Sequence, residues 1–146
     1  MTPTTNRLSI LCIRALVVLR RFDAAPCETI LAFFAFVWGA WFWISPAVWG
    51  HSVFTLAPAW AKLATLMNDL TYGTLYMIVG TMHLFSIGRG GYESRRLSCL
   101  ISSALWGFTE ATYFASVPGN VTTPAYTIVA LSLLWLFIRL GYRRAD

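Results

Sequence analysis

Charge is what this chain has least of. Only 12% of its 146 residues are Asp, Glu, Lys or Arg, where a soluble domain carries about a quarter. Too little charge is present to solvate an ordinary globular surface. Cysteine is scarce as well: Cys12, Cys27 and Cys99 form no CxxC pair and no Cys/His cluster at metal-ligand spacing. Neither a zinc site nor a dithiol redox centre is expected, and no metal or other cofactor is assigned. His51 and His83 are the only histidines and belong near opposite faces of the membrane, which argues against a bis-histidine haem. No nucleophile–base–orienter set is visible, so an enzyme is not expected. The glycines of "SIGRGGYE" lack a preceding strand and a Walker Lys-Ser/Thr, and read as a loop between spans rather than a phosphate cradle. A clean secretory leader is missing too, because Arg14 interrupts the apolar run of residues 8–19 and Arg20 and Arg21 follow it.

What is present is apolar. Hydrophobic residues make up 58% of the chain, aromatics 16%, and Trp occurs seven times; the mean hydropathy is +0.63. This is membrane-protein composition, with Trp and Tyr suited to the two interfaces. The formal charge of +5 would invite nucleic acid in a soluble protein. Here the basic residues lie almost entirely outside the apolar runs, so topology explains them and no nucleic-acid partner is expected.

The patterning predicts an all-α, four-helix transmembrane bundle with an N-terminal interfacial amphipathic helix, in one integral membrane domain. Residues 7–22 carry Arg7, Arg14 and Arg21 at heptad spacing, with Ile, Leu and Val over the remaining surface. Such a helix lies in the interface with its arginines toward headgroups, or packs on the bundle and binds nothing. Residues 29–50 contain no charge and are long enough to span about 30 Å of hydrocarbon; Pro46 is a place to end or kink that span. Residues 51–64 read as an interfacial loop or half-helix, with Trp49 and Trp60 at the surface. Further spans are read at 66–87, 97–117 and 125–140, separated by a polar loop at 88–96 and a breaker-rich turn at 118–124. The Trp38, Trp41 and Trp43 run reads as belt and packing. Ten arginines fall at the termini and the 88–96 side, against Lys62 alone on the other. The positive-inside rule then puts both termini in the cytoplasm of a multi-pass inner-membrane protein. On that side the cysteines are kept reduced, and structural disulfides are not expected.

One face of the second span carries Asp69, Gly73, Tyr76, Gly80 and His83, all within roughly 40° of one line. On the third span Cys99, Ser103, Trp106 and Glu110 form a matching stripe. Ser103, Gly107, Ala111 and Ala115 add a small residue every fourth position, as close-packed membrane helices require. Gly73, Gly80, Gly107 and Ala111 are therefore read as packing positions. Antiparallel pairing through the short loop sets Glu110 near the level of residue 74, with Tyr72, Tyr76 and Ser132 as expected hydrogen-bond partners. The same register puts Asp69 within reach of Lys62, and His83 near Ser102 and Ser103. A central carboxylate costs about 2.5–3.5 kcal/mol on insertion scales. Glu110 is thus either a proton or cation site, the default reading for an intramembrane acid, or interhelical glue contributing about 0.6–2 kcal/mol. Asp69 reads as the interfacial start of its span, and His83 as a lone histidine a turn from the cytoplasmic side.

The layout resembles small four-span membrane proteins carried by phages and bacterial prophages. The resemblance rests on the basic lead, "ETILAFFAFVWGAWFW", "LAPAW" before the second span, the basic loop before "ALWGF", and the closing "AYTIVALSLLWLFIRL". It covers most of the chain and implies a bacterial inner membrane. It brings no functional residue with it. The expectation is a non-enzymatic protein acting through helix association, holin-like or host-membrane-modifying, whose partners are the bilayer and copies of itself or another membrane protein. The alternative is a small proton- or cation-linked transporter or channel subunit built on Glu110.

Overall fold

The computed structural model describes residues 3–23, 25–55, 58–117 and 123–142, and among these the chain has no strand. Among the described residues six α-helices follow one another: α1 (Pro3–Asp23), α2 (Pro26–Trp49), α3 (Ala61–Leu66), α4 (Asp69–Arg89), α5 (Tyr92–Ser116) and α6 (Thr123–Tyr142). Two 3-10 turns, Val53–Thr55 and Pro58–Trp60, lead into α3. This is the short, broken segment expected over 51–64.

The ends of the helices are written locally. Pro26 occupies the first turn of α2, where its missing N–H costs nothing. Gly50 closes α2 at φ 73°, its N–H donating to the Pro46 carbonyl. Pro46 therefore does not end α2, which runs three residues beyond it. Asn68 caps α4 by accepting from the Thr71 N–H at 2.8 Å. Gly90, at φ 74°, takes the left-handed conformation that a helix C-terminus favours and donates to the Ser86 and Ile87 carbonyls.

That tight stop corrects one expectation. The segment 88–96 is not an open polar loop, because α4 continues to Arg89 and α5 begins at Tyr92. Gly90 and Gly91 make the whole connection. Arg95 and Arg96 consequently project from a helix rather than from a loop.

Three helical stretches are long and apolar enough to cross a membrane: Pro26–Val48, Asp69–Arg89 and Ala125–Tyr142. These correspond to the first, second and fourth expected spans. The third, α5, is long but diluted by Ser, Thr, Arg and Glu. α2 packs most extensively on α4, and α5 on α6, while α4 meets α5 and α2 touches α6.

Glycine makes the α2–α4 contact. A Cβ built on Gly39 would stand 2.5 Å from the Gly73 carbonyl oxygen, and one on Gly80 2.6 Å from the Phe36 nitrogen. Gly73 and Gly80 stand against the backbone of α2, where the expected packing face was turned to α5. Gly39 is the partner of Gly73, and Gly80 meets the backbone of Ala32 and Phe36. Gly107 has open space where its Cβ would be and Ala111 is exposed, so neither packs a helix.

An aromatic core fills the end of the molecule remote from Gly90. Phe42, Phe54, Tyr72, Tyr76 and Trp106 are all buried there. Trp106 stacks on Tyr126 with ring centroids 5.8 Å apart and meets Tyr76 edge-on at 4.7 Å. Trp60 joins this core against Phe42 and Tyr113, so it is not the surface residue expected from its loop. Trp38 is partly buried and packs against this core; Trp41 and Trp43 are exposed. The Trp49 side chain lies outside the described residues.

α1 is joined mainly at its C-terminal end. Phe22 packs with Ala25, Ala32 and Ile87, and Arg21 donates to the Gly88 carbonyl at 2.6 Å. Arg21 is thus bound to the end of α4, where a cation complements the helix dipole. Arg14 is exposed. Arg7 lies on an early turn of α1, its side chain outside the described residues. Ile13, Leu16 and Leu19 leave a continuous apolar surface on this helix.

Candidate functional site

The α4 stripe is buried along its length: Asp69, Gly73, Tyr76, Gly80 and His83 all lie inside. It serves three partners rather than one. Asp69 accepts from Ser52 Oγ at 3.0 Å and from the Val53 N–H at 2.9 Å. It therefore ties the first 3-10 turn to the start of α4, in place of the expected reach to Lys62. Gly73 and Gly80 admit α2. Tyr76 and His83 turn to α5.

The levels of α4 against α5 are those expected, but α5 is rotated. Its buried residues include Cys99, Ser102, Trp106, Thr109 and Tyr113, at steps of three and four. The expected stripe shared only Cys99 and Trp106 with this face. Thr109 stands where Glu110 was expected. Its Oγ1 lies 2.7 Å from the Tyr76 hydroxyl and 3.0 Å from the Tyr72 hydroxyl, and its own proton goes to the Leu105 carbonyl at 3.1 Å. Trp38 Nε1 completes the set on Tyr72 at 3.5 Å. In the arrangement that satisfies every member, both tyrosines donate to Thr109, and Thr109 donates to its own helix.

Ser103 leaves the α4 side altogether. Its Oγ donates to the Ala130 carbonyl of α6 at 2.8 Å. Seven residues farther along, Glu110 falls level with the N-terminal end of α6 and not with Ser132. The Glu110 side chain is half-buried, and its Oε2 is buried with no hydrogen-bond partner among the described residues. The phenol nearby is Tyr126. None of the three expected partners holds this carboxylate.

The opposite end of the seam contains what sequence spacing could not show. Glu28 of α2, His83 of α4 and Cys99 of α5 are all buried, and one ligand atom from each lies within 4.8 Å of the others. His83 Nε2 is 3.5 Å from Cys99 Sγ, and its Nδ1 is 3.3 Å from Ser102 Oγ. Arg95 grips Glu28 with both arms of its guanidinium, Nε to Oε2 at 2.9 Å and NH2 to Oε1 at 2.5 Å. A cavity of about 200 Å³ reaches this pair; Glu28, Arg95 and Arg139 are among its lining residues.

Two signals pointed here. Glu28 is the acid immediately before the charge-free run, and Arg95 stands four residues before Cys99, on the same face of a helix. A loop over 88–96 gives Arg95 no face at all, and so leaves Glu28 without a visible partner.

No family model matches the chain, and no curated protein or solved structure is found to match it. The site must be read from its own chemistry.

Proposed function

We propose that the chain is a four-span inner-membrane protein that acts through association of its helices, with α5 as the span of least overall apolarity and α1 at the interface. The observation that carries this reading is an inside-out distribution of side chains. Leu97, Leu100, Ile101, Phe108 and Phe114 of α5 point outward, while Ser98, Ser102, Thr109 and Thr112 point inward. A helix so arranged suits lipid despite its polar content, because each inward hydroxyl finds a partner in the bundle or on its own backbone. The apolar window of α6 is only 17% buried, and Ile128, Leu131, Trp135 and Ile138 are exposed along it. That surface is open to lipid or to another copy of the chain. Both termini are assigned to the cytoplasm by the arginine asymmetry, and the phage-type layout makes a holin-like or membrane-modifying role the reading of choice.

Controlled expression in a bacterial host tests this role. A holin-like protein collapses the membrane potential suddenly after a period of accumulation. Harmless accumulation to high level in the membrane would remove the lysis reading. Single-cysteine crosslinking at Leu131 and Trp135 tests association directly, and capture of monomer alone would count against it.

The transport reading draws on a different observation, the partnerless buried Oε2 of Glu110. Glu110→Gln in proteoliposomes should abolish a pH-dependent cation flux under that reading; unchanged flux would take Glu110 out of the mechanism.

A further inference from the structure

We propose that Glu28, His83 and Cys99 form a three-ligand site for a borderline-soft divalent cation of the zinc class, binding through one carboxylate oxygen, Nε2 and Sγ. This goes beyond the membrane role above and does not depend on it.

The geometry is the first argument. Zinc bonds sulfur at about 2.3 Å and imidazole nitrogen at about 2.0–2.1 Å, so at a tetrahedral angle the two donors stand about 3.5 Å apart. Cys99 Sγ and His83 Nε2 stand 3.5 Å apart. The Glu28 donor lies within 4.8 Å of both, so the three helices close slightly on the ion to complete the triangle.

The surrounding groups fit ligation as well. Ser102 Oγ lies 3.3 Å from Nδ1; in the tautomer that carries its proton on Nδ1 the ring donates to Ser102 and leaves Nε2 free to ligate, the usual outer partnership of a metal-bound histidine. Arg95 occupies one site on each Glu28 oxygen, and a carboxylate offers about four lone-pair sites in all. Glu28 can therefore bind metal while Arg95 orients it. Thiolate and imidazole select zinc-like ions over magnesium or calcium, which require six or more oxygens. Three protein ligands leave a fourth position open. Glu28 lines the cavity of about 200 Å³, while His83 and Cys99 are fully buried behind it, so an ion reaches them only past the Glu28 carboxylate.

Charge balances simply. Without metal, Glu28 and Arg95 neutralise each other, and Cys99 and His83 are uncharged. The incoming dication displaces the thiol proton of Cys99, which passes to solvent, and the site gains one net positive charge. Three helices, α2, α4 and α5, are then joined at one point, so metal affinity adds to the stability of their packing.

The test uses untagged full-length protein in detergent, with Cys12→Ser and Cys27→Ser so that Cys99 is the single thiol. Cobalt added to the metal-free protein should bind one to one and develop a thiolate-to-cobalt charge-transfer band, which zinc displaces and magnesium does not. Adding Cys99→Ser should abolish the band, and Ser102→Ala should raise the dissociation constant by about 10–100-fold. Circular dichroism and gel filtration establish that each variant is folded. Should Cys99→Ser or His83→Gln fail to fold, the cobalt titration of the folded single-thiol protein decides alone. Absence of the band there overturns the proposal, as does cobalt binding of undiminished affinity after Cys99→Ser.

Discussion

The same substitution should have opposite effects at two glycines. In Gly39→Ala the new Cβ would stand 2.5 Å from the Gly73 carbonyl oxygen and 2.7 Å from the Met77 nitrogen, both backbone atoms of α4. Backbone cannot rotate aside as a side chain can. Relief to 3.4 Å, where ordinary contact begins, needs a shift of about 0.9 Å between α2 and α4. A gap of about 0.5–1 Å forfeits a quarter to a half of each contact's attraction along the interface, and forced overpacking costs about 1–3 kcal/mol. Gly80, whose Cβ would meet the Phe36 nitrogen at 2.6 Å, loses its fit in the same movement. Gly107→Ala meets nothing within 4 Å and gains alanine's helix preference of about 1 kcal/mol. Unfolding of both variants in mixed micelles, followed by Trp fluorescence and circular dichroism, gives the two free energies side by side. Gly39→Ala should be less stable by about 1–3 kcal/mol and Gly107→Ala unchanged or slightly more stable. Equal destabilisation of the two would refute the assignment of the close contact to the α2–α4 face.

Three other outcomes follow from the polar contacts. Thr109→Val keeps the shape but removes the acceptor of Tyr72 and Tyr76, and should cost about 1–3 kcal/mol in the same unfolding assay; Thr109→Ser should retain most of the stability. Glu28→Gln strands Arg95 against a neutral amide and should cost about 3 kcal/mol, whereas the double change Glu28→Gln with Arg95→Met should recover much of it, a recovery read from a double-mutant cycle. Asp69→Ala releases Ser52 and the Val53 N–H, so amide exchange over residues 51–55 should quicken while that of mid-α4 stays as it was.

The sequence made the helices legible because their signals are local. The charge-free run of 29–50 acts in this way; the stop at Gly90 is as local, but the polar residues around it read as a loop, so the ends of α4 and α5 were not legible. The levels of α4 and α5 were legible too, since a short connection leaves the antiparallel register little freedom. Azimuth was not. A stripe of small residues marks a close contact only when a partner helix approaches it. On α5 the stripe through Gly107, Ala111 and Ala115 turns away from α4, while larger Ser, Thr and Trp residues face inward. Nothing in the spacing of α5 alone distinguishes these two faces, which lie about 100° apart, one residue of rotation.

That one-residue rotation also changes which polar group carries meaning. With Thr109 on the seam, the mid-level contact is a neutral hydroxyl network that satisfies its own donors and acceptors, with no charge to neutralise. Glu110 is displaced to the edge, half-buried. At the other end Glu28, His83 and Cys99 are buried together, with a half-buried Arg95 on the carboxylate. There the chain spends its rare charge on a paired carboxylate and guanidinium placed beside two neutral donors with soft-metal chemistry. A bundle that needed only adhesion could have used serine and threonine throughout, as it does one turn beyond His83 and along the rest of α5. The concentration of different chemistries at one point, drawn from three helices, is the feature of this fold that association alone does not require.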